Sequence, residues 1–158
     1  MAKPTNTQFA VAVHVLTYLA ACAAAGRHGP VGSEELSAST VVNPVHVRKV
    51  LGPLRSAGLV RSRAGAHGGW ELSADPDSVT LADVWHLLQS DDPVLGLHGP
   101  NPACAVGSNV QRVLTRLDRR VAEAIVAELR RISLADVLTD ADVVSNDQNL
   151  WMGLGEVT

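Results

Sequence analysis

The stretch 43–73 constrains this chain more than any other. It reads as a helix, a turn and a β-hairpin. Asn43-Pro44 sets an N-cap residue before a proline suited to the first helical position. Val47, Val50, Leu51 and Leu54 then recur at helical spacing and define one apolar face. His46, Arg48, Lys49 and Arg55 lie off that seam. Pro53 removes a donor inside the helix, so a kink is expected there. Ala57-Gly58 reads as a C-terminal glycine cap. A strand over 59–63 follows, then the tip Ala64-Gly65-Ala66-His67-Gly68-Gly69, then a strand over 70–73. Five residues of the stretch are Lys or Arg and only Glu71 is acidic, a local balance of +4 in a chain whose total is −3. A basic helix followed by a basic, glycine-tipped ribbon suits duplex DNA. The helix fits the major groove and the cations meet phosphates.

Upstream, 7–25 reads as a helix that Thr7 caps and Gly26 ends. It is apolar over much of its surface, so it is buried on several sides or lies in a subunit interface. It is too short and too alanine-rich for a membrane span. His14 and Cys22 on it read as packing residues. Gly29-Pro30 makes a turn, and Ser33 is expected to cap a short helix over 34–39. The order helix, short helix, turn, basic helix is that of a helix-turn-helix. By the docking logic of that motif, Asn43, Val45, His46 and Lys49 are the candidates for base edges. Arg48, Arg55, Arg61 and Arg63 are the candidates for phosphates. The alternative for these charges is an ordinary solvated face.

Downstream, Thr80-x-x-Asp83 is a capping arrangement for a helix over 81–89. Ser133-Leu134-Ala135-Asp136-Val137 repeats it before a short helix over 134–138. Between them, 90–103 is a Pro- and Gly-rich loop. Residues 105–132 form the longest helix, or two pieces if Gly107-Ser108 breaks it. Val106, Val110, Val113, Leu117 and Val121 make a near-heptad stripe. A helix of that length spans about 42 Å, more than a small domain needs for its own core, so a pairing role in a homodimer is expected. The last twenty residues carry four acids and no Lys or Arg. They read as an acidic, flexible tail whose Leu150-Trp151-Met152 could dock.

These elements resemble the winged-helix part of the Rrf2 family, bacterial transcription regulators that include the iron–sulfur cluster regulator and nitric-oxide-sensing repressors. The resemblance rests on Leu54-Arg55, Ala57-Gly58-Leu59-Val60, Gly65 and Gly68-Gly69-Trp70-x-Leu72. Thr80-Leu81-Ala82-Asp83-Val84 follows in order, and Phe9-Ala10-Val11 precedes in the first helix. It covers about residues 5–138. It implies DNA binding and a homodimer. Two departures matter. The family's arginine before the glycine matched by Gly65 is Ala64 here, which leaves His67 or Arg63 as the substitute for minor-groove entry. The family's cluster-binding members carry three close cysteines in the region of 90–104, where this chain has only Cys104. A [2Fe–2S] cluster needs four ligands, so no cofactor and no metal site is expected.

Cys104 follows Asn101-Pro102, a second cap-and-proline signal, and a helix N-terminus lowers a thiol pKa. It is therefore a candidate redox sensor. The alternative is an unreactive residue at a dimer seam. With 3% aromatic residues the core must be aliphatic, which favours helix packing. Two cysteines make no secreted disulfide framework, and no signal peptide is visible, so a cytoplasmic location is expected. No nucleophile elbow, phosphate loop, His-Glu-x-x-His or Cys-x-x-Cys is present, so an enzyme is not expected.

The expected fold is mainly α with a small β-hairpin. A winged helix-turn-helix domain spans 5–89, a loop 90–103, a dimerisation helix with a short terminal helix 104–138, and a tail 139–158. The expected function is a sequence-specific, homodimeric repressor answering a redox or small-molecule signal. The alternative is a winged-helix protein-interaction module with little or no DNA binding.

Overall fold

The computed structural model describes residues 5–89 and 91–141. Eight elements follow in order among them: α1 (Thr5–Ala24), α2 (Ser33–Thr40), α3 (Pro44–Ser56), β1 (Val60–Arg63), β2 (Gly69–Leu72), α4 (Leu81–Leu88), α5 (Ala105–Leu129) and α6 (Leu134–Asp140). The core is aliphatic, as the shortage of aromatics requires. Val15, Leu16, Leu36, Val47, Leu51, Leu54, Val84 and Leu134 are fully buried within it. Each comes from the apolar face of its own helix.

α1 is the central post. Its window Thr7–Ala24 is long and apolar enough to cross a membrane, yet half of it is buried inside this fold. α1 ends at Gly26, whose φ of +69° admits the chain reversal. Beyond it, Arg27 forks Glu35 of α2, Nη1 to Oε1 at 2.5 Å and Nη2 to Oε2 at 2.8 Å. Tyr18 Oη donates to the same carboxylate at 2.7 Å. This cluster fastens α2 to the post. Cys22 is buried on α1, and burial pushes its thiol up to about 11.

Two helix ends differ from expectation, and one alternative left open is settled. The residue that opens α2 is Gly32, not Ser33. Ser33 is already helical, and its Oγ instead accepts from Trp70 Nε1 at 3.2 Å. Pro53 lies inside α3, which continues to Ser56. α5 is continuous across Gly107-Ser108, and the residue that caps it is Cys104, whose Sγ accepts from Gly107 N at 3.4 Å. α6 continues to Asp140, two residues past the expected end. The tail from 142 onward lies outside the described residues.

β1 and β2 form an antiparallel pair with Arg61 opposite Glu71 and Ser62 opposite Trp70. The other edge of β2 is met by Val31, which exchanges backbone hydrogen bonds with Trp70 at 2.9 and 2.8 Å. This contact explains Gly69. A Cβ there would lie 2.4 Å from the Val31 carbonyl oxygen.

The two similar helix starts meet in space. Thr80 and Ser133 pair as an antiparallel bridge, Leu81 N donating to Ile132 O at 2.9 Å and Leu134 N to Val79 O at 2.8 Å. Each carries a complete capping box, Thr80 with Asp83 and Ser133 with Asp136. The backbone and hydroxyl donors of Ser133 hold the Asp136 carboxyl below its usual range. The sequence repeat is thus a docked pair of caps joining α4 to α6, not a duplicated domain.

Candidate nucleic-acid interface

α3 is set rigidly before it meets any partner. Asn43 Oδ1 accepts from Val45 N at 2.8 Å, and Pro44 occupies the first helical position. The far end closes with Leu59 N to Leu54 O at 3.0 Å across Gly58, whose φ is +77°. Between these caps Val47, Val50, Leu51 and Leu54 are buried. At 100° per residue that seam leaves Val45, Lys49, Gly52 and Ser56 on the opposite crown. Val45, Arg48, Lys49 and Arg55 are exposed and His46 is half-buried. Arg48 and Arg55 share one flank. Arg48 Nε reaches back to the Pro44 carbonyl at 3.3 Å, and Arg55 Nη1 reaches Ser62 Oγ at 3.3 Å. The basic flank of α3 therefore meets the ribbon at Arg55.

The ribbon divides its residues by the pleat. Val60, Ser62, Trp70 and Leu72 share the inner face, with Val60 and Trp70 in the core. Arg61 and Arg63 stand on the other face beside Glu71. Arg61 Nε lies 2.8 Å and Arg63 Nη2 3.9 Å from the same Glu71 oxygen. Glu71 is only 18% exposed. Arg61 and Arg63 therefore stand on the ribbon face opposite Ser62, the residue Arg55 touches, and they are partly neutralised by Glu71. The period-2 alternation of strand side chains is the cause. Arg61 also lines a cleft of about 290 Å³ together with Arg27, His28 and Trp70.

At the tip His67 is exposed. Gly65 takes a φ of +106°, but Gly68 is required by the ribbon itself. A Cβ on Gly68 would lie 2.1 Å from the Arg63 carbonyl oxygen. The tip glycines therefore serve the wing's own turn, in addition to any approach to a sugar–phosphate edge.

Two residues escaped the sequence reading. Glu71 was counted as a lone acid, although a hairpin register would have placed it opposite Arg61. Val41 gave no signal at all. It is a β-branched residue with φ +55°, the one non-glycine with positive φ among the described residues, and it closes α2. Such a conformation is unfavourable for Val.

Cys104 is exposed at the start of α5 and lies apart from this surface in sequence and element. Val106, Val110, Val113 and Leu117 on the same helix are exposed, and α5 has no fully buried residue.

The family model for Rrf2, described as an iron-dependent transcriptional regulator, matches residues 5–140. The candidate HTH-type transcriptional regulator YwnA of Bacillus subtilis is 33% identical over 134 residues, covering 84% of this chain and 96% of that protein. A crystal structure of a candidate transcriptional regulator from Lactobacillus plantarum superposes with a TM-score of 0.71 at 28% identity, covering 85% of this chain and 89% of that one. The structure of CymR, the global cysteine regulator of B. subtilis, does so with 0.56 at 25%, covering 84% and 94%. The residues present do not fit an iron–sulfur cluster. Cys22 is sealed in α1, Cys104 caps α5, and among the described residues no group of three His, Cys, Asp or Glu could hold a metal ion.

Proposed function

The chain belongs to the Rrf2 family of DNA-binding transcriptional regulators and is not an enzyme, and on that premise we propose that it acts as a cytoplasmic, homodimeric repressor of sequence-specific operators. The observation that carries this reading is the exposed crown of α3 with its basic flank, held rigid by the Asn43 cap and the Gly58 closure. Asn43, Val45, His46 and Lys49 are the base-reading set. Arg48, Arg55, Arg63 and, at the tip, His67 hold phosphates, and Arg61 supports them. The Ala64 substitution makes the wing a backbone clamp rather than a minor-groove probe. Repression follows simply from occupancy, since a bound dimer that covers a promoter needs no contact with the transcription machinery.

The dimer reading is supported by α5. Its 25 residues extend about 37 Å and offer Val106, Val110, Val113 and Leu117 to solvent on one stripe. A second copy across a two-fold axis covers that stripe and presents two recognition helices about 34 Å apart, one turn of duplex. The signal is a thiol oxidant acting on exposed Cys104 at the dimer helix. A Cys104→Ser protein that releases DNA under peroxide as readily as the parent removes that assignment.

The test is selection of duplexes from a random pool, followed by titration at several salt concentrations. The expected product is a two-fold pair of half-sites. Arg48→Ala removes one phosphate contact from each of two protomers and should flatten the dependence of log K on log salt by about 1.8, and Lys49→Ala should weaken operator binding and also reduce that dependence. Unchanged affinity and slope in both overturn the interface. A parent protein that retains no duplex even at low salt points to the protein-interaction module instead.

A further inference from the structure

Val41 and Val45 are exposed large apolar residues at the reading end of the molecule. Val41 is 89% and Val45 66% exposed. They lie either side of the Asn43 cap, one closing α2 and the other in the first turn of α3. Neither contributes to the core. Burial cannot account for them, and backbone preference argues against Val41, because its left-handed conformation favours glycine or asparagine. The turn is held in place by other residues. Ser37 Oγ donates to the Val42 carbonyl at 2.5 Å and Thr40 Oγ1 to the Leu36 carbonyl at 2.7 Å. The two isopropyl groups are therefore presented to solvent at defined positions, and Val45 shares the exposed side of α3 with Arg48 and Lys49.

A surface that meets phosphates with cations and base edges with apolar groups matches one feature of the major groove. The C5-methyl of thymine is the apolar mark that distinguishes a T·A pair there. We infer that Val41 and Val45 are specificity-determining residues that pack on thymine methyl groups in each operator half-site. This rests on the DNA-binding reading above and names what that site reads. The phosphate-holding arginines supply affinity common to all duplexes, and within the base-reading set the valine pair selects the half-sites carrying thymine beneath the start of α3.

The experiment uses the duplex recovered from the random pool and the full-length protein. Each thymine of the half-site is replaced singly by deoxyuridine, which removes the methyl and keeps the hydrogen-bonding edge. At one or two positions the parent should lose about fourfold in affinity, the worth of one buried methyl. Val45→Ala should bind the parent duplex more weakly and be indifferent to uracil at its position, and Val41→Gly should be indifferent at the neighbouring one. Val41→Gly relieves the strained backbone, so it should melt higher than the parent, which excludes misfolding as the cause. A half-site without thymine under α3, equal parent affinity for every uracil duplex, or variants that keep the parent's sensitivity overturns the assignment. Loss of duplex binding in Lys49→Ala alongside silent uracil substitutions sinks this inference alone. Absence of any duplex binding by the parent sinks the reading beneath it.

Discussion

α3 and α5 are both amphipathic, but they finish differently. α3 buries Val47, Val50, Leu51 and Leu54 against α1, α2, α4 and the ribbon, and leaves Val45, Arg48, Lys49 and Arg55 exposed. α5 is nearly twice as long, and Val106, Val110, Val113 and Leu117 remain exposed along it. Helix period alone does not separate the two. The difference lies in whether the chain supplies a covering surface. A helix whose stripe is already covered offers its polar side to a partner, and one whose stripe is open offers the apolar side. The seam of α3 is closed within one copy, and the stripe of α5 is left open.

The contrast can be broken in several ways. The largest effect is expected from Val113→Asp with Leu117→Asp. If a second copy covers the stripe, four carboxylates are forced into the seam, and the dimer dissociation constant should rise by about a thousandfold. Light scattering then reports a monomer whose circular dichroism is unchanged. A variant still dimeric at micromolar concentration removes the pairing role of α5. Next, Leu54→Ala removes a fully buried side chain from α3 and should cost about 3 kcal/mol in denaturant unfolding. A loss as small as that of Leu117→Ala in the monomer would mean that the two helices do not differ.

Smaller effects sharpen the split within the head. Glu71→Gln frees Arg61 from its 2.8 Å partner. Affinity for unselected duplex should rise about threefold, with a steeper salt dependence. The gain should vanish in the Arg61→Ala background, and if it persists there, Glu71 acts by its charge alone rather than through Arg61. The smallest effect concerns the attachment of α2. The hydrogen bonds from Arg27 hold the Glu35 carboxyl below its ordinary range. A depressed folded-state value stabilises above the unfolded carboxylate pKa, about 4.3, and the contribution fades as pH falls through the folded value. The melting-temperature gap between the parent and Glu35→Gln should therefore be widest near pH 6 and narrow progressively as pH falls below the unfolded value of about 4.3. A gap that stays constant with pH would mean that the ion pair contributes nothing.

Much of the framework around the candidate interface was legible in the sequence, for local reasons. Asn43-Pro44, Ala57-Gly58 and the two Ser/Thr-x-x-Asp boxes act within a few residues of themselves, and all four operate at the expected helix ends. Ser33 misled because a residue suited to a cap can equally enter the helix when a distant donor, here Trp70 Nε1, claims its hydroxyl. Val41 was invisible because its residue type contradicts its conformation. The docking of Thr80 on Ser133 was unreadable because the two lie far apart in the chain and only packing brings them together.

Amino-acid order by itself determined the elements, the apolar seams, the concentration of cations in 43–73 and the family. Those properties depend on neighbours three or four residues away, or two in a strand. Tertiary structure alone decided which cations share a face, that Glu71 stands among the wing arginines, and that backbone carbonyls crowd Gly68 and Gly69. It also decided that one helix stripe is covered and another open. The physical reason is the same in each case: contact, charge pairing and burial depend on distances between segments, and the chain's order leaves those distances unspecified.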